Sequence, residues 1–178
     1  MTTAAALGQQ PLWEAAAAVS RPFLKWAGGK RQLLPELLRH VPQRFGGYYE
    51  PFVGGAALFF ALQPKRAVLG DFNNRLARSY RGVRNDVESV ISLLRSYPHS
   101  RAFFDEFRRQ KADAGSDADV AAWLIYLNRT AFNGLYRVNR SNEFNTPFGS
   151  YKNPTICAPE LLRSCSVGLQ TAEKVGFL

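Results

Sequence analysis

Cysteine and histidine are scarce in this chain, with two of each among 178 residues. Cys157 and Cys165 are too few and too far apart for a zinc cluster or a disulfide scaffold, so buried thiols in a reducing compartment are expected. His40 and His99 have no Cys, His or carboxylate partner at metal-ligand spacing. Each is expected at a helix end or on the surface, and no metal is expected. No apolar run approaches the roughly 18 residues that a membrane-spanning helix needs, which argues against a membrane partner. Residues 1–20 are rich in Ala but lack a basic leading region and a long apolar core, the marks of a secretory signal. They read as a disordered extension.

Acidic residues are also few, 14 against 23 basic ones, for a formal charge of +9. Seventeen of the basic residues are Arg. That balance points to a polyanion partner, because the Arg fork makes bidentate contacts with phosphate and with guanine. A merely solvated basic surface remains the alternative that composition leaves open. A hydrophobic content of 46% with 13% aromatics is enough for a core and excludes wholesale disorder.

Two nucleotide fingerprints are missing as well. No strict G-x-G-x-x-G is present, which argues against an ordinary nicotinamide enzyme. The string Lys25-Trp26-Ala27-Gly28-Gly29-Lys30 ends like a phosphate loop, but Leu24 and Arg31 stand where that loop needs Gly and Ser or Thr. Trp26 reads either as a core residue or as a ring that stacks on an adenine.

What the chain does have is Glu50-Pro51-Phe52-Val53-Gly54-Gly55-Ala56, which reads as a strand running into a glycine turn. An apolar run from Ala56 to Leu62 follows, and a second one, Ala67-Val68-Leu69-Gly70, ends in Asp71. This is the plan of a βαβ unit. Gly54 and Gly55 permit a sharp turn and close backbone approach. Asp71, at the tip of the second strand, is placed to accept ribose hydroxyls. A turn glycine and a helix-capping acid would leave the same trace.

Along the chain, Leu33, Leu34, Leu37 and Leu38 give a helical pattern between Arg31 and His40. Strand one is expected over Tyr48–Phe52, a helix from Ala56, and strand two over Ala67–Asp71. Asn73-Asn74 is placed to cap a helix over Arg75–Arg84. Val87–Tyr97, Arg101–Lys111 and Asp117–Asn128 read as three consecutive helices, with Phe103, Phe104 and Phe107 packing on Trp123, Leu124 and Leu127. Residues 129–154, rich in Asn, Gly, Arg and aromatics, suit a β-hairpin or an ordered loop. A short helix and the start of a third strand are expected in Leu161–Leu178. The division is therefore 1–20 as an extension, 21–84 as the first part of an α/β core, 85–160 as an inserted, mostly helical basic module, and 161–178 as a return to the core.

Four blocks taken together make the chain similar to the Dam family of adenine-N6 DNA methyltransferases, which modify GATC-type sites in bacteria and phages. They are FLKWAGGK (23–30), EPFVGGAALFF (50–60), LGDFNNRL (69–76) and IYLNRTAFNGLYRVNRSNEFNTPFGSYKNP (125–154), at family-like spacing. The resemblance runs from about Arg21 to Ser166. It implies a Rossmann-like sheet with an inserted DNA-recognition module, S-adenosylmethionine as cofactor and double-stranded DNA as partner. It also implies a monomeric protein of the cytoplasm. The cofactor residues it implies are Trp26, Lys30, Glu50, Phe52, Gly54 and Asp71. For DNA it implies Lys25, Asn133, Leu135, Arg137, Tyr151 and Lys152. Arg137 is matched to a guanine, Leu135 to a wedge in the base stack and Asn133 to a hydrogen bond near the target.

The family's catalytic Asp-Pro-Pro-Tyr is not among these residues, since no two of the ten prolines are adjacent. Where a family Asp-Phe segment would precede that motif, the chain has Val175-Gly176-Phe177. The expectation is a truncated, inactive form holding half a cofactor site and most of a DNA-recognition module. A non-catalytic DNA-binding remnant is the alternative.

Overall fold

The computed structural model describes residues 21–177, and the expected extension at 1–20 lies outside the described residues. A single 3₁₀ turn, Lys30–Leu33, leads into α1 (Leu34–His40), with Pro35 in the first turn, where its missing N–H costs nothing. Strand β1 (Tyr48–Glu50) is shorter than the expected span. It stops before Pro51, whose ring nitrogen has no hydrogen to continue a ladder. Helix α2 (Ala57–Leu62) and β2 (Ala67–Asp71) follow, and β1 and β2 pair in parallel with Tyr48 opposite Ala67 and Glu50 opposite Leu69.

Asn73 is the N-cap of α3 (Asn74–Asn85), its side chain accepting the Leu76 amide at 3.2 Å. Helices α4 (Val87–Ser96), α5 (Arg101–Phe107) and α6 (Asp117–Thr130) come next, capped in turn by Asp86, Ser100 and Ser116. Ser116 and Asp119 form a reciprocal capping box, and α6 is buried along most of its length. Gly82 lets α3 lie close on α6, since a Cβ there would overlap the Asp117 carbonyl. Arg78 and Arg81 of α3 both donate to the Asp117 carboxylate, at 2.6 and 2.7 Å. Burial pushes that carboxyl up, but the two guanidinium groups outweigh it and hold its pKa below the ordinary value.

Residues 131–158 run without a ladder of their own. Two isolated antiparallel bridges, Ala131 to Phe148 and Val138 to Phe144, stand where a hairpin or an ordered loop was expected. The turn is held by backbone hydrogen bonds, from the Asn139 amide to the Glu143 carbonyl and from the Asn145 amide to the Arg137 carbonyl, both at 2.9 Å, and by Asn139 Oδ1, which accepts the Ser141 and Glu143 amides at 3.0 and 2.9 Å. Helix α7 (Pro159–Leu169) then returns the chain to β3 (Ala172–Phe177), which pairs in parallel with β2. The sheet order is β1-β2-β3.

One apolar core joins the sheet to the helices, with Phe59, Phe60, Leu69, Tyr80, Val83, Leu124, Tyr126 and Leu169 all buried in it. The expected aromatic cluster forms in one core with Trp123, Leu124 and Leu127, and the Trp123 indole donates to the Phe107 carbonyl at 3.0 Å. Phe103 and Phe107 pack on Tyr126, whereas Phe104 turns toward Phe144 and Phe148. No helix among the described residues is long and apolar enough to cross a membrane.

Candidate cofactor and nucleic-acid site

The C-terminal ends of β1 and β2 meet at a turn held by four hydrogen bonds. The Val53 amide donates to the Gly70 carbonyl at 2.9 Å, which carries the chain past β1. Gly54 takes φ +50, a region open to glycine, and its amide donates to Asp71 Oδ2 at 2.9 Å. The other Asp71 oxygen accepts the Asn73 amide at 2.9 Å. Tyr80, fully buried on α3, closes the turn from beneath by donating its hydroxyl to the Gly54 carbonyl at 2.7 Å. Ala56 also sits in the left-handed region, at φ 57, immediately before α2. A non-glycine residue there stores about 1–2 kcal/mol.

Beside this turn Glu50 is buried, and each of its oxygens is paired. One carboxylate oxygen accepts from Lys30 Nζ at 2.6 Å and the other from the Tyr48 hydroxyl at 2.7 Å. Burial first, and then the Glu50 charge, push the Tyr48 hydroxyl far above its ordinary pKa. Lys30 Nζ also donates to the Phe52 carbonyl at 2.9 Å, while the Phe52 ring is 70% exposed. Lys30, Glu50 and Phe52 thus form one cluster, and Gly54 and Asp71 a second one next to it.

Trp26 reaches over the glycine turn: a Cβ on Gly54 would come within 3.2 Å of its ring. Its other contact is a stack on Tyr136, with centroids 5.3 Å apart and planes inclined by 22°. Trp26 is half-buried in this packing and also lines part of a cavity wall. Lys25 is held by its backbone. Asn128, buried on α6, accepts the Lys25 amide at 2.8 Å and donates to the carbonyls of Lys25 and Gly134 at 2.7 and 2.6 Å. The exposed Lys25 ammonium lies 3.5 Å from the Tyr151 hydroxyl and 5.0 Å from the centre of its ring.

Apart from Lys25, the residues expected to meet DNA lie on the 131–152 segment. Asn133 adopts φ 53 inside a 3₁₀ turn, and Leu135, Arg137 and Lys152 are exposed. Arg137 rests on Asn145, donating to its side-chain oxygen at 2.8 Å. Four residues that the motifs did not single out shape the site: Tyr80, Asn128, Arg75 and Tyr136. Arg75 is buried, donates to both Asp113 oxygens, and also reaches the Asn142 carbonyl at 2.9 Å. The Asp113 hydrogen bond raises the Arg75 pKa despite the opposing effect of burial. Asn128 and Tyr136 lie inside the long block and Arg75 inside LGDFNNRL, and Asn128 carried a further signal, a polar residue on an otherwise apolar helix. Tyr80 lies outside all four blocks.

Two cavities flank the arrangement. One, of about 600 Å³, opens beside Asp71, Phe72, Asn73, Arg75 and Tyr136. The other, of about 570 Å³, is lined by Lys25, Trp26, Gly55 and three arginines, Arg21, Arg31 and Arg129, with no carboxylate in its wall. Burial, together with the Arg21 charge, lowers the Arg129 pKa. No group of three or more His, Cys, Asp or Glu among the described residues is placed to hold a metal ion.

The sequence profile of the D12 class N6 adenine-specific DNA methyltransferases matches residues 26–176, from Trp26 to the next-to-last residue of β3. The chain belongs to that family. It is 44% identical over 152 residues to a type II methyltransferase, M1.LlaDCHI, of Lactococcus lactis subsp. cremoris, covering 82% of this chain and 54% of the relative. With M.MjaIII of Methanocaldococcus jannaschii it shares 39% over 168 residues, 82% of this chain and 58% of the relative. A DNA adenine methylase of Haemophilus influenzae is 36% identical over 146 residues, 79% of this chain and 51% of its own. The chain spans about half the length of these relatives. All the expected cofactor and DNA positions lie in the matched stretch except Lys25, which immediately precedes it.

Proposed function

We propose that this chain forms the S-adenosylmethionine pocket wall and the target-recognition part of a DNA adenine-N6 methyltransferase acting at GATC-like sites. The observation that carries the reading is the shared position of Trp26, which touches the Gly54 turn on one side and the Leu135–Arg137 segment, through Tyr136, on the other. A small Rossmann-like sheet with an inserted recognition module is the architecture this reading assigns, in a monomeric cytoplasmic protein.

The residues at the sheet edge fit the cofactor. Asp71 keeps a lone pair on each oxygen beyond the two amides it accepts, enough for the ribose hydroxyls. Gly54 leaves the backbone bare at the closest point, and the Asp71 cavity is of the size of small-ligand clefts. Trp26, Lys30, Glu50 and Phe52 stand beside the Gly54 turn, outside the wall of that cavity, and are proposed to meet the rest of the cofactor. When bound, S-adenosylmethionine supplies an electrophilic methyl on a sulfonium.

Toward DNA the chain offers the carboxylate-free cavity at Arg21, Arg31 and Arg129 for backbone phosphates, and exposed Arg137 for a guanine edge. Leu135 wedges into the stack while Asn133 stands near the displaced adenine, and Lys25, Tyr151 and Lys152 contact bases or phosphates nearby. An adenine must leave the helix before its amino group can be methylated. The amino lone pair is conjugated with the ring, so transfer also needs acceptors at N6. The Asp-Pro-Pro-Tyr that would supply them is not within these 178 residues. The polypeptide is therefore proposed to bind cofactor and DNA without transferring methyl.

Titration of the purified chain with S-adenosylmethionine and with a GATC duplex tests this. Micromolar binding of both, with no radioactive methyl transferred to the DNA, is the expected result. Salt-sensitive DNA binding with no cofactor binding would replace the reading with that of a DNA-binding remnant. Methylated product would overturn the proposed inactivity.

A further inference from the structure

We propose that Tyr136 is a positioning residue that transmits cofactor occupancy to the DNA-reading side chains, held for that task by Trp26 and Arg75. The inference rests on the cofactor and DNA reading above and adds a coupling between the two sites.

The segment from Gly134 to Asn139 alternates in exposure. Leu135, Arg137 and Asn139 face solvent, whereas Tyr136 and Val138 are half-buried. That is the period of an extended chain, in which the inward residue sets where its two outward neighbours point. Backbone hydrogen bonds fix its two ends, Gly134 to Asn128 and Ala131, and Asn139 to Glu143, with an Asn145 amide on the Arg137 carbonyl between them. Tyr136 is the side chain that anchors the middle. Its ring stacks on Trp26 and meets Phe144 edge-on at 5.9 Å, and its hydroxyl lies 3.4 Å from Arg75 Nη1.

Arg75 is itself immobilised. Asp113 takes Nε and Nη2, the Asn142 carbonyl takes Nη1, and the guanidinium lies 5.1 Å from the centre of the Trp123 ring. It sits on the first turn of α3, just beyond Asn73, whose amide is bound to Asp71. The contacts close a ring: Asp71 to Asn73, along α3 to Arg75, to Tyr136, to Trp26, over Gly54, and back to Asp71 through the Gly54 amide. Three of its six members, Trp26, Gly54 and Asp71, are expected cofactor positions. Of the other three, Tyr136 stands between Leu135 and Arg137. A ligand that fixes Trp26 and Asp71 therefore fixes the direction of both DNA contacts, and linkage requires the reciprocal effect of DNA on cofactor affinity.

The test is the ratio of duplex affinities with and without saturating S-adenosylmethionine, read by fluorescence anisotropy on a labelled GATC duplex. Cofactor is expected to tighten binding about tenfold in the unaltered chain, within the range typical of coupled sites. Tyr136→Leu, which removes the ring, is expected to bring the ratio to about one, and Tyr136→Phe, which keeps the stack, to retain most of the effect. The ratio is the readout because a loss of stability alone would weaken both affinities and leave it unchanged. A ligand-free measurement accompanies it: tryptic cleavage after Arg137 and Arg140 is expected to speed up in Tyr136→Leu and not in Tyr136→Phe. The inference is overturned if both ligands bind the unaltered chain without coupling, or if Tyr136→Leu couples as well as the unaltered chain. Failure of the unaltered chain to bind either ligand would instead remove the underlying reading, and the inference with it.

Discussion

Lys30 Nζ stands 2.6 Å from Glu50 Oε1 and ties the first family block to the end of β1. Glu50 is 6% exposed, so its charge is tolerated only because Lys30 and Tyr48 meet both oxygens. Replacing Lys30 by Met leaves a buried carboxylate with one neutral donor. The variant is expected to be about 2 kcal/mol less stable than the parent. Urea melts of the two check this, and equal stability would refute it.

Gly54 is the position where a side chain is least affordable. Gly54→Ala must hold φ +50 and press a Cβ against Trp26, at a cost of about 1–2 kcal/mol. It is also expected to lower S-adenosylmethionine affinity more than tenfold, because the turn can relax only by releasing Asp71. Calorimetric titration beside a thermal melt separates the two effects.

Asn128 joins three segments, through two hydrogen bonds to the Lys25 backbone and one to Gly134. Asn128→Ala leaves those buried groups unsatisfied and is expected to cost about 2–4 kcal/mol. Asn128→Asp keeps the acceptor for the Lys25 amide but sets a carboxylate against two carbonyls, so it is expected to be no milder. A chemical melt in which Asp restores stability would show that the Lys25 amide alone matters.

Cys165 gives a prediction at alkaline pH. It is fully buried, and burial pushes its thiol up to about 12. The unfolded chain loses that proton near pH 8.5, so stability present below 8.5 is lost as pH rises toward the folded value, by up to about 1.4 kcal/mol per pH unit. Tyr126, also raised to about 12 by burial, adds its own loss only above pH 10. Between pH 8.5 and 10, Cys165→Ala should therefore show a flatter fall in stability than the unaltered chain. Parallel slopes would count against the argument.

Much of the local structure was legible because it rests on neighbouring residues. The Asn73 cap, the parallel β1-α2-β2 unit and the chain of helices from α3 to α6 all follow from residue types at short range. Boundaries were less legible. Strand β1 stops two residues early at Pro51, and α5 ends at Phe107, after which the chain turns through Arg108–Gln110. The 129–154 segment was read as a hairpin or an ordered loop, and it combines the two, with antiparallel bridges at Ala131–Phe148 and Val138–Phe144 and a tip held by the Asn139 side chain.

The four blocks and their spacing, by themselves, determine that the chain belongs to the adenine methyltransferase family, since those residues are read directly from the order of the chain. Tertiary structure alone decides how the blocks touch. Arg75 meets Asp113 and Asn142 across 38 and 67 residues, and Asn128 meets Lys25 across 103. No local pattern encodes such contacts, because each depends on how α3, α6 and the 131–152 segment pack, and packing sums many small terms over the whole core. Trp26 shows the difference. Its sequence offered either core packing or a cofactor face, and only the fold set one ring between a glycine turn and Tyr136.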